Sequence, residues 1–299
     1  MVPAENSTPE QALEDLELLL QVSGTAQRKA IHLPEGLVSI SVGALIDGAV
    51  IRLADDRFEP AQLGSLAEML ARNPRSPADL REVFRHGIAA CRRLIDSGYA
   101  GWESWINAGN QNPQKFSPLI KVLWPVLVDP ARCRQLIDTL GTEFVDRLGA
   151  PFTADGHPGF RTLRTMNPPG SSTDWRNSFG ESVVAGPMRS YEKIMPSIAV
   201  TQSTRGMVSV AVALRRWEQE QGPELPAGLD QLVPHYLPAL PVDFMDGKPL
   251  RYDRGKRIVY SIGKDLIDNI PEIPDSPRVV AGDGNAVLLM PAPQRSRTP

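Results

Sequence analysis

Dipeptides made of a helix-capping residue followed by proline recur in the sequence, at residues 8–9, 76–77 and 129–130. The capping side chain satisfies free backbone N–H groups at the start of a helix, and proline is tolerated at the first helical position. Gln11 lies three residues after Thr8 and completes a capping box. This first helix is expected to end at Gly24. These repeated signals for the start and end of a helix predict an antiparallel array of helices over residues 1–150.

Three later segments differ from this pattern in composition. Residues 34–54 are mostly apolar with small residues interleaved, which predicts a buried helix. Helical spacing returns over residues 187–221, where Pro196 is expected to kink or interrupt the helix. The intervening residues 151–186 are rich in Gly, Pro, Ser and Thr, and we interpret them as an irregular connector.

Strand-like alternation follows this helix, in the segment KPLRYDRGKRIVYSIG around a turn at residues 253–256. The alternation and the turn predict a β-hairpin, and a second hairpin is predicted around Asp283-Gly284. The predicted fold is α+β and mainly α, with an antiparallel helical array followed by a long helix packed on a small antiparallel β-sheet. The predicted divisions are a helical domain (1–150), the connector (151–186), the helix and sheet (187–291) and a disordered tail (292–299).

The charge balance disfavours one class of partner. The formal net charge is −3 over 299 residues, so no basic field is available to attract nucleic acid. A transmembrane helix needs a run of about 18 apolar residues, and the sequence contains none. The amino-terminal segment is acidic and does not resemble a secretory signal. We therefore expect either a cytoplasmic protein or one whose membrane anchor lies upstream of Met1.

Familiar catalytic and metal-binding motifs are not found in the sequence. It contains no GxSxG, no Walker-type loop and no GxGxxG after a predicted strand. Cys91 and Cys133 are interpreted as two buried, small apolar side chains, with a disulfide between them as the alternative. No two histidines have the spacing of a zinc site; the histidines are His32, His86, His157 and His235.

Oxygen-bearing side chains cluster just after the first predicted hairpin, at Ser261, Asp265, Asp268 and Asn269. Carboxylate and hydroxyl oxygens crowded in a loop suit a hard cation such as calcium. Their spacing does not match the helix–loop–helix calcium motif, and turn chemistry alone also favours Asp and Asn here. The residues themselves leave both interpretations open.

Three segments follow the long predicted helix and its Gly-x-x-Pro-like break in a set order: LDQLVPHYLPALPVD, DGKPLRY and YSIGKD. This order resembles the carboxy-terminal part of protein G, the major pseudopilin of type II secretion, and that of bacterial envelope proteins with such a module at their end. The resemblance implies a long helix on a small antiparallel sheet, protein partners and a non-enzymatic role at the cell envelope. It also implies calcium, with Ser261 and Asp265 matching the ligand positions and Asp268 a looser match.

The chain also departs from the pseudopilin pattern. No prepilin leader or apolar helix opens it, about 200 residues precede the module, and the loop after Asp265 lacks the long Gly- and Asp-rich insertion. Assembly into a pseudopilus is therefore not expected. Two other hypotheses stay open: a calcium-stabilised binding module, and a hydrolase-like or other enzyme with its site in residues 151–180. The residues named for that enzyme site are Asp155, His157, Asp174 and Trp175.

Overall fold

The architecture comes from a computed structural model that describes residues 8–30, 33–56, 58–73, 80–108, 112–148, 150–152, 175–192, 194–263, 266–268, 280–281 and 286–289. Within these ranges the chain forms nine α-helices, one short 3-10 helix and four β-strands. This composition confirms the prediction of a mainly helical α+β fold. The helices are α1 (Pro9–Lys29), α2 (Leu33–Asp56), α3 (Pro60–Arg72), α4 (Arg81–Asp96), α5 (Gly98–Asn107), α6 (Pro118–Leu127), α7 (Pro130–Arg147), α8 (Trp175–Glu192) and α9 (Met195–Gln221).

Of the three helix starts that were predicted from a capping residue followed by proline, two are confirmed by hydrogen bonds. Thr8 Oγ1 accepts from the Gln11 N–H (3.3 Å), and Gln11 Oε1 accepts from the Thr8 N–H (3.0 Å). At the start of α7, Asp129 Oδ1 accepts from the Ala131 N–H (2.9 Å). The third start, at residues 76–77, lies outside the described residues.

Helices α1 and α2 differ from the prediction where packing outweighs local signals. Helix α1 continues through Gly24 to Lys29. Gln27 in the added turn is only 2% exposed, so burial of this turn outweighs the cost of about 1 kcal/mol for a helical glycine. Residues 34–54 are helical as predicted, but α2 is not buried all round, because Leu45 is 74% exposed.

The long helix predicted over residues 187–221 is two helices. Helix α8 ends before Met195, where α9 begins. Pro196 therefore lies in the first turn of α9, where its missing N–H costs no hydrogen bond. Helix α8 begins at Trp175, so the last part of the predicted irregular connector, residues 175–186, is helical.

The two predicted hairpins pair into one antiparallel sheet with the strand order β1-β2-β4-β3. In the first hairpin Asp253 pairs with Ile258, so its turn is residues 254–257, one residue later than predicted. The second hairpin pairs β3 with β4, and its predicted turn at Asp283-Gly284 lies outside the described residues. The strands are β1 (Arg251–Asp253), β2 (Ile258–Tyr260), β3 (Val280–Ala281) and β4 (Ala286–Leu289); the 3-10 helix is Leu229–Leu232.

Helix α9 takes part in the two largest apolar clusters. Its first turns, with Met195 and Ile198, pack with α4 to α8. Its second half, from Met207 to Leu214, packs with α1 to α3, the 3-10 helix and Val259 of the sheet. The prediction of a long helix packed on a small antiparallel sheet is confirmed. The first three helices also share this core.

Candidate functional site

The side chain of Asp243, in the loop before β1, is a carboxylate that is 0% exposed. Its Oδ1 atom accepts three hydrogen bonds of 2.8–3.0 Å and its Oδ2 atom accepts two of 2.9–3.0 Å. Because an uncompensated buried carboxylate is costly, these donors are what allow Asp243 to be buried. We call Asp243 and its donors the Asp243 network; the donors are Ser203 Oγ, Met245 N and Ser261 Oγ to Oδ1, and Ile262 N and Arg251 Nη1 to Oδ2.

The Asp243 network joins three separate parts of the chain. Ser203 belongs to α9, and its hydroxyl donates to Asp243 (2.9 Å) while accepting from the Phe244 N–H (2.9 Å). Ser261 directly follows β2 and donates to the same Asp243 oxygen (2.8 Å). The long helix, the loop before β1 and the end of the hairpin are therefore tied together at one carboxylate.

The guanidinium of Arg251 lies among three carboxylates. Besides Asp243, it pairs with both oxygens of Asp246 and lies 3.6 Å from Asp268 Oδ2. The hydrogen bonds that Arg251 donates to Asp246 raise the pKa of Arg251 despite partial burial. Burial raises the pKa of Asp246, but hydrogen bonds from Arg251 and the Lys248 N–H outweigh it and hold that pKa below its ordinary value of 3.8. The guanidinium of Arg251 therefore supplies a positive charge beside all three carboxylates.

Two of the predicted calcium ligands, Ser261 and Asp268, lie in different environments. Ser261 is fully buried, and its hydroxyl is used by Asp243 and by the Gly263 N–H (3.3 Å). The Asp268 side chain is 57% exposed and accepts from the Tyr260 hydroxyl (3.1 Å). Asp265 and Asn269 lie outside the described residues. Among the residues that are described, no three His, Cys, Asp or Glu side chains are grouped to hold a metal ion, and calcium binding stays a prediction.

A second buried ion pair connects α9 to the N-terminal helices. Arg205 Nη2 lies 3.0 Å from Asp47 Oδ1 of α2, and the two side chains are 8% and 1% exposed. Burial lowers the pKa of Arg205, and the Asp47 charge opposes that shift. Arg205 Nε and Nη1 have no hydrogen-bond partner in the described part of the chain. An unpaired charge is costly at a buried position. Removing either Asp47 or Arg205 would therefore leave the other as an uncompensated buried charge.

The histidines and the predicted connector site contribute no cluster that the structure can describe. His86 contacts the Glu82 carbonyl oxygen through Nδ1 (2.7 Å), and the His235 side chain is 71% exposed. Trp175 begins α8. The remaining residues of these two predictions lie outside the described residues: His32, Asp155, His157 and Asp174.

An open groove of about 330 Å³ lies between α4 and α7. The side chains of Arg85, Arg92 and Asp138 line it. Arg92 pairs with Asp138, and Arg85 pairs with Glu82. Both arginines therefore already pair with carboxylates of the protein, and apolar side chains such as Ile88 and Val145 line much of the rest of the groove.

Cys91 of α4 and Cys133 of α7 are both buried, and neither forms a disulfide, so the alternative of a disulfide between them is wrong. Burial raises the pKa of the Cys91 thiol to about 11. A thiol with such a pKa is protonated at neutral pH and is a poor nucleophile. This agrees with the interpretation of the cysteines as small apolar core residues.

Sequence reasoning did not find the Asp243 network or the Asp47–Arg205 pair. One signal was available, because Ser203 and Arg205 belong to a polar run at residues 201–205 that lies between two apolar segments of the helix, and polar residues buried there need partners. The sequence does not say which partners these are, since Asp243 is 40 residues from Ser203.

None of the helices in the described ranges is long and apolar enough to cross a membrane. Comparison of the chain with protein-family models, curated proteins and solved structures gave no match.

Proposed function

We propose that the chain is a non-enzymatic structural and interaction protein of the bacterial cell envelope, with a pseudopilin-like C-terminal module formed by α9 and the sheet. The observation that carries the proposal is the Asp243 network, which ties α9 to the hairpin. The resemblance to protein G implies this same arrangement of a long helix on a small antiparallel sheet. The envelope location rests on that resemblance.

The chemistry of the network supports a structural role. Asp243 is 0% exposed, so a substrate cannot reach its oxygens in the folded protein. Ser203 ties the loop that carries Asp243 to α9. Arg251, Ser261 and Ile262 tie the hairpin and the residues after it to the same loop. Arg251 also offsets part of the negative charge of Asp246 and Asp268. A second link has the same form: Glu218 of α9, with a side chain 4% exposed, pairs with Arg257 at the end of the hairpin turn. Such links stiffen a module that presents a surface to a partner protein.

The location is tested by expressing a tagged chain from its own chromosomal locus, with whatever sequence precedes Met1, and fractionating the cells. We expect the chain in the envelope or periplasmic fraction, and protection from protease in intact cells that is lost on opening the outer membrane. Recovery in the cytosol with a soluble marker enzyme would refute the envelope role.

The non-enzymatic character is tested by complementing a deletion strain. A variant carrying Asp155→Asn, His157→Ala and Asp174→Asn removes the groups of the alternative enzyme site, and it should complement as well as the unmodified chain. Asp243→Asn, which weakens the module, should complement poorly. Failure of the triple variant at normal cellular abundance would favour the enzyme instead.

A further inference from the structure

Helix α6 is apolar on both of its long sides. Its inner side, with Ile120, Trp124 and Leu127, packs into the cluster of α4 to α8. A helix that is apolar all round is normally buried, yet in the described structure α6 exposes a second apolar face. This outer stripe has the helical spacing i, i+3, i+4 and i+7, and consists of Leu119 (61% exposed), Val122 (74%), Leu123 (38%) and Val126 (51%).

The outer stripe lies in a stretch of sequence whose charged residues are basic. The acids Glu103 and Asp129 bound this stretch; Glu103 accepts from the Tyr99 hydroxyl and Asp129 caps α7. Between Glu103 and Asp129 the sequence contains two lysines and no acid, although the chain as a whole is negative. Both Lys115 and Lys121 are exposed. On the neighbouring helix α5, the Trp105 indole is 47% exposed, and tryptophan is enriched where protein meets the lipid headgroups.

Helix α1 provides a contrast. Its exposed apolar residues Leu18 and Val22 follow three acids, Glu14, Asp15 and Glu17, in the sequence. An anionic surface would be repelled there. At α6, by contrast, the exposed apolar side chains are close in sequence to two exposed lysines, Lys115 and Lys121.

The dimensions of α6 indicate what covers the outer stripe. Its four side chains expose roughly 300–400 Å², about half of the roughly 800 Å² that each partner contributes to a stable dimer. With ten residues, the helix is about 15 Å long, too short to span the roughly 30 Å of a bilayer core. A short helix with an apolar face and basic neighbours suits the plane of the membrane interface.

We propose that α6 is a membrane-docking helix, which inserts its outer stripe at the headgroup boundary of a bilayer containing anionic lipid while Lys115 and Lys121 meet the lipid phosphates. The inference goes beyond the envelope role and stands on α6 alone. Vesicle binding by the purified chain does not depend on where the chain resides in the cell. The two proposals can therefore fail separately.

The test is co-sedimentation of the purified full chain with vesicles of phosphatidylcholine and 30% phosphatidylglycerol, compared with phosphatidylcholine alone. Wild type should bind the anionic vesicles more tightly, and added salt should weaken that binding. Val122→Glu should lower the partition constant at least tenfold on both vesicles. Lys121→Gln should lower it about fivefold on anionic vesicles only, the contribution of one basic residue near an anionic surface.

The matched control is Leu45→Glu, which places the same charge at a residue of α2 that is as exposed as Val122 (74% each). This control should bind vesicles like wild type. Leu119→Glu is a second stripe variant, used if Val122→Glu changes the circular dichroism spectrum or the melting temperature. The proposal is overturned if wild type does not bind, if both stripe variants bind normally, or if light scattering shows a dimer that the stripe variants convert to monomer.

Discussion

The substitution Asp243→Asn tests whether one buried carboxylate holds the C-terminal module together. It keeps the shape of the side chain and removes only the charge and one acceptor oxygen. Oδ2 accepts from the Arg251 guanidinium and the Ile262 N–H, and neither donor can reverse its role. The new amide group will therefore turn its nitrogen toward the Oδ1 side, where the hydroxyls of Ser203 and Ser261 can rotate to accept from it.

Two losses remain after this adjustment. The Met245 N–H, which bonded Oδ1 at 3.0 Å, is left buried without an acceptor, at a cost of about 1–3 kcal/mol. The bond from Arg251 becomes a bond to a neutral oxygen, which removes about 1 kcal/mol of its charge-assisted strength. The expected destabilisation of the module is therefore about 2–4 kcal/mol.

Amide hydrogen exchange measured by mass spectrometry reports this change locally. For segments spanning residues 243–263, exchange through local opening should become about 30- to 900-fold faster, the factor that corresponds to 2–4 kcal/mol. The matched control is Asp230→Asn, an exposed acid of the same module, whose effect should stay within about 0.5 kcal/mol. If Asp243→Asn exchanges like this control, the reasoning about the network is wrong.

Three further predictions concern the other charged groups. Asp47→Leu or Arg205→Met alone should lower the free energy of unfolding in urea by about 3–5 kcal/mol, whereas the double variant should recover most of the loss; additive losses would contradict the coupling. The pKa of Asp246 is lower in the folded state than in the unfolded state. The stability that its carboxylate contributes is therefore complete above the unfolded pKa of 3.8 and is lost as pH falls through the lower folded pKa. Wild type should therefore lose stability below about pH 5 more steeply than Asp246→Asn. If calcium binds, a chelator should lower the melting temperature, and an unchanged melting temperature would refute the predicted ion site.

Local signals in the sequence predicted local structure well. The capping box of α1 and the first hairpin depend on residues that lie within a few positions of one another, as Thr8 and Gln11 do. The prediction that α1 ends at Gly24 was wrong, because a glycine indicates only the backbone preference at its own position. Whether the chain continues as a helix there was decided by the burial of Gln27.

The partners of each buried face could not be predicted from the sequence. Helical spacing shows that a stripe is buried, but it does not identify the surface that covers it. The packing of α1 to α3 with the second half of α9 is therefore new information from the structure. The same holds for Asp243, because its donors come from α9 and from beyond the hairpin.

The buried carboxylates of Asp243 and Asp47 act on α9 in complementary ways. From Met207 to Leu214 the helix is buried on nearly every side, and small apolar side chains all round specify its rotation only weakly. Ser203 and Arg205 are two positions apart and therefore point about 200° apart around the helix axis. One meets Asp243 of the module and the other meets Asp47 of α2. Rotation in either direction would leave a buried charge without its partner, so these polar contacts fix the orientation of α9 where apolar packing alone does not.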